Sequence, residues 1–146
     1  MRSLCRWLRR WGRKYEISRA GKLYLTRWII FPWSNWPNIY IHKFTNSDPD
    51  DDLHDHPWNF LTFVIKGWYL EFLNDRNVCW RRGTFSLAYR KTTDAHRVAL
   101  PKSLDAVWTI VLVGKRRREW GFFKSDGEWV DWATYTQQLG EYGVTH

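Results

Sequence analysis

The sequence predicts an all-β fold, an antiparallel sandwich or barrel, preceded by a basic helix. Eight short segments after residue 22 are rich in Val, Ile, Thr and aromatic residues, and clusters of Pro, Gly, Asn and Asp separate them. No helical crossover pattern lies between these segments, so neighbouring strands are expected to run antiparallel. The chain of 146 residues, 44% of them hydrophobic, has the size and composition of one globular domain.

The N-terminal end is predicted to be a basic arm, residues 1–22, ahead of a barrel domain in residues 23–146. Residues 1–28 hold nine Lys or Arg and one Glu, so the whole net charge of +8 belongs to this end. An apolar stripe with helical spacing runs through it: Leu4, Trp7, Leu8, Trp11 and Tyr15. We predict a helix from residue 3 to about 15, with both Trp rings buried against the barrel or a second subunit. Nucleic-acid or anionic-surface contact and partner binding are the alternatives.

The predicted strands follow at short intervals. They span residues 22–31, 38–44, 59–67, 68–73, 83–89, 96–100, 106–114 and 118–123. Two cysteines, Cys5 and Cys79, match no disulfide or metal spacing, which suits a reducing compartment. No run approaches the roughly 18 apolar residues of a membrane span. We therefore predict a cytoplasmic protein without a membrane segment.

Three histidines are candidate metal ligands. His54 and His56, in the segment DLHDHPWNF, are two residues apart, so on a strand both side chains face the barrel interior while Asp55 faces away. His96, in TTDAHRVAL, is the best candidate for a third ligand. Three neutral nitrogens suit Fe(II), Ni(II), Cu(II), Zn(II) or Mn(II) and leave open positions on an octahedral ion. His42 could line the same cavity, although a hydrogen-bonded core histidine is the commoner case.

The segment around His54 and His56 resembles the first motif of the cupins. That motif has a glutamate four residues after the second histidine, where this sequence has Phe60, and a glycine seven residues further on, which is Gly67. We predict that Phe60 takes the interior position of the glutamate. Because three histidines leave a divalent site at +2, the missing carboxylate favours an anionic substrate.

The second cupin motif is present in weaker form. It opens at Gly83 and closes at His96, with Lys91 and Thr93 at the usual Pro and Gly positions. The resemblance covers about residues 38–113 and implies a cupin-like jelly-roll barrel with the metal inside.

Longer segments extend the resemblance to most of the chain. SDPDDDLHDHPW, KGWYLEF, DAHRV and KRRREWGFFKSDGEWVDW resemble a group of small cupin-like proteins of bacteria and their phages. GWYLE and HRV also resemble the three-histidine thiol dioxygenases, for which Fe(II) is the expected ion. Ni, Mn and Zn are the alternatives.

Further residues are candidates for the substrate pocket. Tyr69 and Glu71 share one strand face, with Glu71 a possible general base, extra ligand or solvated partner of an arginine. Arg90 and Arg118 are candidates to bind a carboxylate or phosphate. Trp58 could line the cavity or pack in the core.

Two predictions concern the surroundings of the histidines. Asp94 or backbone carbonyls are expected to accept hydrogen bonds from the ring nitrogens that face away from the metal. The acidic run from Asp48 to Asp52 is expected to be a solvated loop, since it lacks the glycine and distal glutamate of a helix-loop-helix calcium site.

Three classes of function remain open from the sequence. The first is a metal-dependent oxygenase or isomerase acting on a small anionic substrate. The second is a non-catalytic ligand-binding barrel. The third is a phage-associated structural or nucleic-acid-binding protein that contacts its partner through residues 1–22. Barrels of this kind often dimerise, so a homodimer is also expected.

Overall fold

The computed structural model describes residues 13–19, 21–33, 36–48, 51–139 and 142–145. Within these ranges the chain is mostly strand. The strands are β1 (Arg13–Arg19), β2 (Lys22–Ile29), β3 (Asn38–Phe44), β4 (Leu53–His54), β5 (Phe60–Lys66), β6 (Trp68–Leu73), β7 (Cys79–Gly83), β8 (Leu87–Arg90), β9 (His96–Ala99), β10 (Val107–Val113), β11 (Gly121–Phe123), β12 (Trp129–Asp131) and β13 (Tyr142–Thr145). One helix, α1 (Trp132–Leu139), follows β12.

The strands form two antiparallel sheets. The seven-stranded sheet has the order β13-β1-β2-β3-β10-β5-β8, and the six-stranded sheet has the order β12-β11-β4-β9-β6-β7. Side chains from both sheets line one central cavity, including Arg27 and His42 from the first and His54 and His96 from the second. The cavity therefore lies between the sheets, and the all-β prediction is confirmed.

The helix prediction is wrong for residues 13–15, which belong to β1. This strand pairs along its length with β2 and also pairs with β13. Tyr15 and Ile17 alternate with polar residues, and Gly21, at φ 68°, lies in the turn that joins the two strands. Among the described residues, the seven-stranded sheet therefore includes β1, which lies ahead of the predicted domain boundary at residue 23. Leu4, Trp7, Leu8 and Trp11 lie outside the described residues, so their helix and its nucleic-acid contact stay predictions.

Most strand predictions after residue 22 are confirmed, with one clear error. The segment 83–89 is not one strand, because Phe85 adopts φ 69° and the chain turns between β7 and β8. The predicted strand 118–123 shortens to β11. Sequence analysis also missed β4, β7, β12, β13 and α1.

In the part of the chain that the structure describes, we find no helix long and apolar enough to cross a membrane.

Candidate metal centre

The strand register brings two of the candidate ligands together. β4 pairs with β9 so that His54 lies directly opposite His96. His56 follows two residues after His54, and its ring centroid is 5.1 Å from that of His54 and 5.0 Å from that of His96. The predicted clustering of the three histidines is therefore confirmed.

The ring nitrogens converge as ligands of one ion would. One nitrogen from each ring lies within 4.8 Å of the others. The Nε2 atoms of His56 and His96 are 2.9 Å apart. Two imidazole ligands at right angles, each about 2.1 Å from an ion, would have nitrogens about 3 Å apart. The His56–His96 separation fits a shared ion.

Glu71 fixes the orientation of His96. Its Oε1 atom lies 2.9 Å from Nδ1 of His96, so this nitrogen donates to the carboxylate and Nε2 points toward the other histidines. A carboxylate behind a ligand histidine fixes its tautomer and raises its basicity. The prediction that Asp94 would serve here is wrong, because Asp94 accepts from the backbone N–H of Lys91.

Two arginines hold Glu71 in turn. Nε of Arg90 donates to Oε1 at 2.8 Å, Nε of Arg82 donates to Oε2 at 2.8 Å, and Nη2 of Arg90 also contacts Oε2. Burial by itself raises the pKa of Glu71. Its hydrogen bonds and charge interactions with His96 and Arg90 outweigh this, so the pKa lies well below its usual range. Glu71 is thus an ionised carboxylate that holds the His96 ring in place.

His54 has a nitrogen that suits a metal. Its Nδ1 atom is buried and has no hydrogen-bond partner among the described residues. Oδ2 of Asp48 lies 3.9 Å from this nitrogen, beyond hydrogen-bond distance. An unsatisfied buried nitrogen costs about 1–3 kcal/mol, a penalty that a coordinated ion would remove.

Burial favours the neutral form of two site histidines, His54 and His56. Desolvation is the largest cause that lowers the pKa of His54 and His56 well below the usual histidine value, and the nearby charge of His96 lowers both further. Neutral imidazoles offer lone pairs to a metal without first releasing a proton. The donor set therefore fits a divalent ion.

Aromatic side chains form much of the cavity wall beside the histidines. The cavity has a volume of about 170 Å³, and Tyr40, Trp58 and Phe60 are among its lining residues. The ring centroid of Phe60 is 4.6 Å from that of His56. Phe60 thus occupies the interior position predicted for it, and Trp58 lines the cavity.

Two arginines that sequence analysis did not select line the cavity. Arg27 on β2 donates from Nε to Nε2 of His42 at 2.9 Å, and Arg19 on β1 lies 3.4 Å from Oδ1 of Asp48. Arg27 shares strand parity with the buried Leu25, but Tyr24, Thr26 and Trp28 on the opposite face are buried as well. Alternation along β2 therefore does not show from the sequence which way Arg27 points.

Asp48 corrects the solvated-loop prediction at one position. It is buried, with 4% of its surface exposed, and it accepts the backbone N–H of Val98 at 2.7 Å. The carboxylate also offsets the charge of Arg19. Asp51, by contrast, is exposed as predicted.

The predicted substrate arginines lie elsewhere. Arg90 is bound to Glu71, and Arg118 contacts Oδ2 of Asp55 at 2.9 Å and the carbonyl of Thr92 at 3.1 Å. Neither is among the residues that line the cavity. Their guanidinium groups serve buried carboxylates, so we do not assign them to the substrate.

The two predicted catalytic residues differ in position. Tyr69 lines the cavity, and burial, followed by the charge of Glu71, raises the pKa of its phenol. Glu71 lies behind His96, outside the cavity lining. Tyr69 keeps a position from which it can contact a ligand, whereas Glu71 acts through His96.

A column of stacked rings extends from His56 toward the surface. The Trp120 ring is parallel to His56 within 8° at 6.4 Å between centroids, and Trp132 lies within 5° of Trp120 at 6.1 Å. Trp120 lines the cavity, and Trp132 is 36% exposed. The column therefore connects the cavity wall at Trp120 with the exposed ring of Trp132.

The sequence matches no known family model and no curated protein. Solved structures do resemble it. A cupin-2 domain protein, Rru_A2000 from Rhodospirillum rubrum, aligns with a TM-score of 0.59 and 11% identity over 77% of this chain and 78% of that chain. A cupin-2 conserved barrel protein from Rhodopseudomonas palustris gives the same TM-score and identity over 77% and 79%. The fold is a cupin barrel.

The structure of an iron-containing protein, Fe(II) HppE, is also similar. Fe(II) HppE aligns with a TM-score of 0.57 and 14% identity over 70% of this chain. The alignment spans little more than half of HppE, 56% of its length. At these identities the similarity establishes the cupin-like jelly roll.

Proposed function

We propose that this cupin-fold protein binds a divalent metal ion through His54, His56 and His96. The observation that carries the proposal is the convergence of three imidazoles on one side of a cavity, two of them buried and that of His56 partly buried, with one nitrogen from each within 4.8 Å of the others. The unsatisfied Nδ1 of His54 and the Glu71 contact behind His96 support it independently.

Fe(II) is the ion we favour. Three neutral nitrogen donors leave positions open on an octahedral ion, and imidazole suits Fe, Ni, Cu and Zn alike. Bound Fe(II) would supply redox chemistry with O₂ at those positions. The proposed reaction is therefore an oxygenation or an isomerisation of a small anionic substrate.

The surrounding residues would bind and shield this substrate. Arg27 supplies positive charge to the cavity, which favours an anion. Tyr69 holds its phenolic proton firmly, so it would act as a hydrogen-bond donor to bound ligand. Trp58 and Phe60 would exclude water from the space beside the histidines.

The first experiment measures metal content and compares histidine variants. Protein purified without chelators is expected to hold about one transition-metal ion per chain. His96→Ala is expected to lose this ion. Its metal affinity should fall at least about 10-fold, because even removal of a residue that only supports a metal ligand causes a loss of that size. His42→Ala is the matched control, because His42 is a buried cavity histidine outside the cluster. Equal loss in both variants, or full retention by His96→Ala, would contradict the proposal.

A non-catalytic ligand-binding barrel is the competing function, since the same cavity serves binding alone. The discriminating measurement is O₂ consumption by the Fe(II)-loaded protein when small organic acids are added. Consumption that depends on the acid and disappears in His96→Ala supports an oxygenase. Tightly held Zn without turnover favours the binding role.

A further inference from the structure

The last strand of the seven-stranded sheet, β8, presents apolar side chains to solvent. Leu87 and Tyr89 are 61% and 54% exposed, whereas Ala88 and Arg90, on the other face of the strand, are buried. In the part of the chain that the structure describes, β8 pairs on one side only, with β5. Its outward side chains therefore lie at the end of the sheet, with no further strand beside them there.

The neighbouring strands continue this apolar surface. Leu61 and Phe63 of β5 lie opposite Tyr89 and Leu87. Because Thr62 between them lines the cavity, both point out of the barrel. Leu112 of β10 lies opposite Leu61 and is 46% exposed. We call these five outward residues of β5, β8 and β10 the outer patch.

A phenylalanine projects at one end of the outer patch. Phe85 lies in the turn before β8, at φ 69°, and is 75% exposed. Its ring centroid is 6.1 Å from that of Phe63, so the ring lies on the same outer face. A ring this exposed in a turn is available to enter a concave surface of another molecule.

A groove lies at the other end of the outer patch. It has a volume of about 520 Å³, and its lining includes Trp36, Leu61, Tyr89, Leu112, Lys115 and Arg117. A cavity of about 150 Å³ already holds a benzene ring, so the groove has room for a phenylalanine side chain. Phe85 and Tyr89 are four residues apart, which is about 13 Å along a strand. One strand thus carries a projecting ring near one end and a groove at the other.

The exposed apolar area is large enough for a stable interface. Large apolar side chains have about 200 Å² of surface each, so the five most exposed ones here present about 600 Å² together. They are exposed by 46% to 75% and comprise Trp36, Phe85, Leu87, Tyr89 and Leu112. Each partner in an interface of standard size contributes about 800 Å². The apolar surface therefore supplies most of what a stable dimer needs.

We propose that two copies of this chain pack through their outer patches around a two-fold axis that crosses the middle of β8. This rotation exchanges the two ends of the strand, so Phe85 of each copy enters the groove of the other. A two-fold interface must be complementary to itself, and a projecting ring and a groove at opposite ends of one surface meet this requirement.

The charges around the outer patch are compatible with this arrangement. Its five residues are uncharged. Lys115 and Arg117 line the groove, and the two-fold rotation places those of the two copies at opposite ends of the interface. Each pair would face the Phe85 ring of the other copy, and an aromatic face attracts a cation. No like charges are brought together.

The first test is sedimentation velocity of the full-length protein at about 10 μM, because interfaces of this size have dissociation constants from micromolar to picomolar. A dimer is expected. A protein that sediments as a monomer at this concentration would overturn the proposal.

A charge in the outer patch tests where the interface lies. Leu87→Glu places two carboxylates close to the axis and is expected to raise the dimer dissociation constant at least about 100-fold. Trp80→Glu is the matched control, because Trp80 is 55% exposed on β7, the end strand of the other sheet. Unchanged affinity in Leu87→Glu, or equal loss in both variants, would overturn the proposal. Thermal melting establishes that each variant is folded.

A double-mutant cycle tests the contact between ring and groove. Phe85→Asn removes the ring without straining the turn, because Asn readily adopts a positive φ. Phe85→Asn and Leu112→Ala are each expected to weaken the dimer about 10-fold or more. If Phe85 packs in the groove, the double variant should lose less than the product of the two single losses. Losses that simply multiply would overturn the placement of Phe85.

Discussion

Glu71 links the candidate metal centre to the barrel's buried charge network. It is 1% exposed and contacts His96, Arg82 and Arg90, so one carboxylate orients a ligand and neutralises two cations. A glutamate in this position does not need to touch the ion to affect it. Position 60 has no glutamate to contact an ion directly. The Glu71 carboxylate, which contacts His96 from the side away from the other histidines, contributes negative charge near the site instead.

Glu71→Gln is expected to weaken metal binding and to destabilise the fold. The metal affinity should fall about 10- to 100-fold, because the orienting partner of His96 is lost. The free energy of unfolding should fall by about 3–5 kcal/mol, because Arg90 is left as an uncompensated buried charge. Competition with a chelating dye measures the first effect, and urea denaturation the second.

Glu119→Gln is the control for that variant. Glu119 pairs with Arg116 at 2.7 Å where both side chains are more than half exposed. An exposed pair contributes at most about 1 kcal/mol. Comparable loss of metal affinity in the two variants would contradict the role given to Glu71.

Phe60→Glu tests whether the ring replaces a carboxylate ligand. The Phe60 centroid is 5.8 Å from that of His96, so a carboxylate here would lie beside the histidines. Without metal, the buried charge should lower the melting temperature relative to Phe60→Leu. Added divalent metal should then raise the melting temperature of Phe60→Glu more than that of the wild type. A metal-independent melting temperature would show that position 60 cannot reach the ion.

At the scale of elements, the short strand β11 holds β4 in position. Phe122 of β11 pairs with His54, and the backbone N–H of Gly121 donates to Oδ1 of Asp55 at 2.7 Å. A Cβ atom on Gly121 would collide with the carbonyl oxygen of Val130 and lie 2.9 Å from Cα of Asp131. The glycine is required for β11 to lie against β12.

Gly121→Ala is therefore expected to cost more than about 1–3 kcal/mol of stability, the usual range for overpacking, since the clash is with backbone. Metal affinity should fall with it, because β11 carries the partner of His54. Gly83→Ala is the matched strand control, since a Cβ there meets nothing within 4 Å. Denaturant unfolding of both variants measures the difference; equal stabilities would contradict the assigned packing role.

Sequence patterns predicted the elements that have regular alternation and missed those defined by long-range pairing. β3 and β6 were predicted with their observed bounds because their alternating and apolar residues are continuous. β4 has only two residues and exists through pairing with β9 and β11, which no local pattern reveals. The helix α1 had a usable signal, because the Asp131 carboxylate caps the N–H groups of Ala133 and Thr134.

The candidate site could be predicted only where the spacing of residues in the sequence determines which way their side chains point. The His54-x-His56 spacing predicted that two histidines lie together, although β4 ends at His54 and His56 follows outside the strand. The cupin resemblance supplied the third histidine, His96. Arg27 was missed because charge in a strand is usually solvent-facing. Arg90 and Arg118 were selected for their chemistry, yet their carboxylate partners lie 19 and 63 positions earlier in the sequence and could not be foreseen.

At the scale of the whole molecule, buried neutral histidines make stability depend on pH. Burial holds the pKa of His42 well below its usual value, so the unfolded chain takes up a proton at a higher pH than the folded protein does. Stability conferred by the neutral imidazole is complete above about pH 6.5 and is lost as pH falls from there toward the folded pKa. Each such histidine contributes up to about 1.4 kcal/mol per pH unit in that window.

His42→Gln is expected to reduce this dependence while keeping an acceptor for Arg27. Urea unfolding of chelator-treated protein between pH 7 and pH 5 should give a shallower decline in the variant than in the wild type. An identical slope in the two proteins would mean that His42 titrates alike in the folded and unfolded chains.

The column of rings from His56 to Trp132 gives the cavity an optical reporter. Indole emission is quenched when a nearby ion with a partly filled d shell accepts the excitation energy, and Zn²⁺, with a filled shell, lacks that route. The Trp120 ring lies parallel to His56 with the centroids 6.4 Å apart, so its emission should fall when Fe(II) or Ni(II) is added and persist with Zn(II). The difference spectrum between wild type and Trp120→Phe isolates this signal from the other tryptophans. Light emitted by one side chain would then distinguish between classes of metal at the neighbouring histidine.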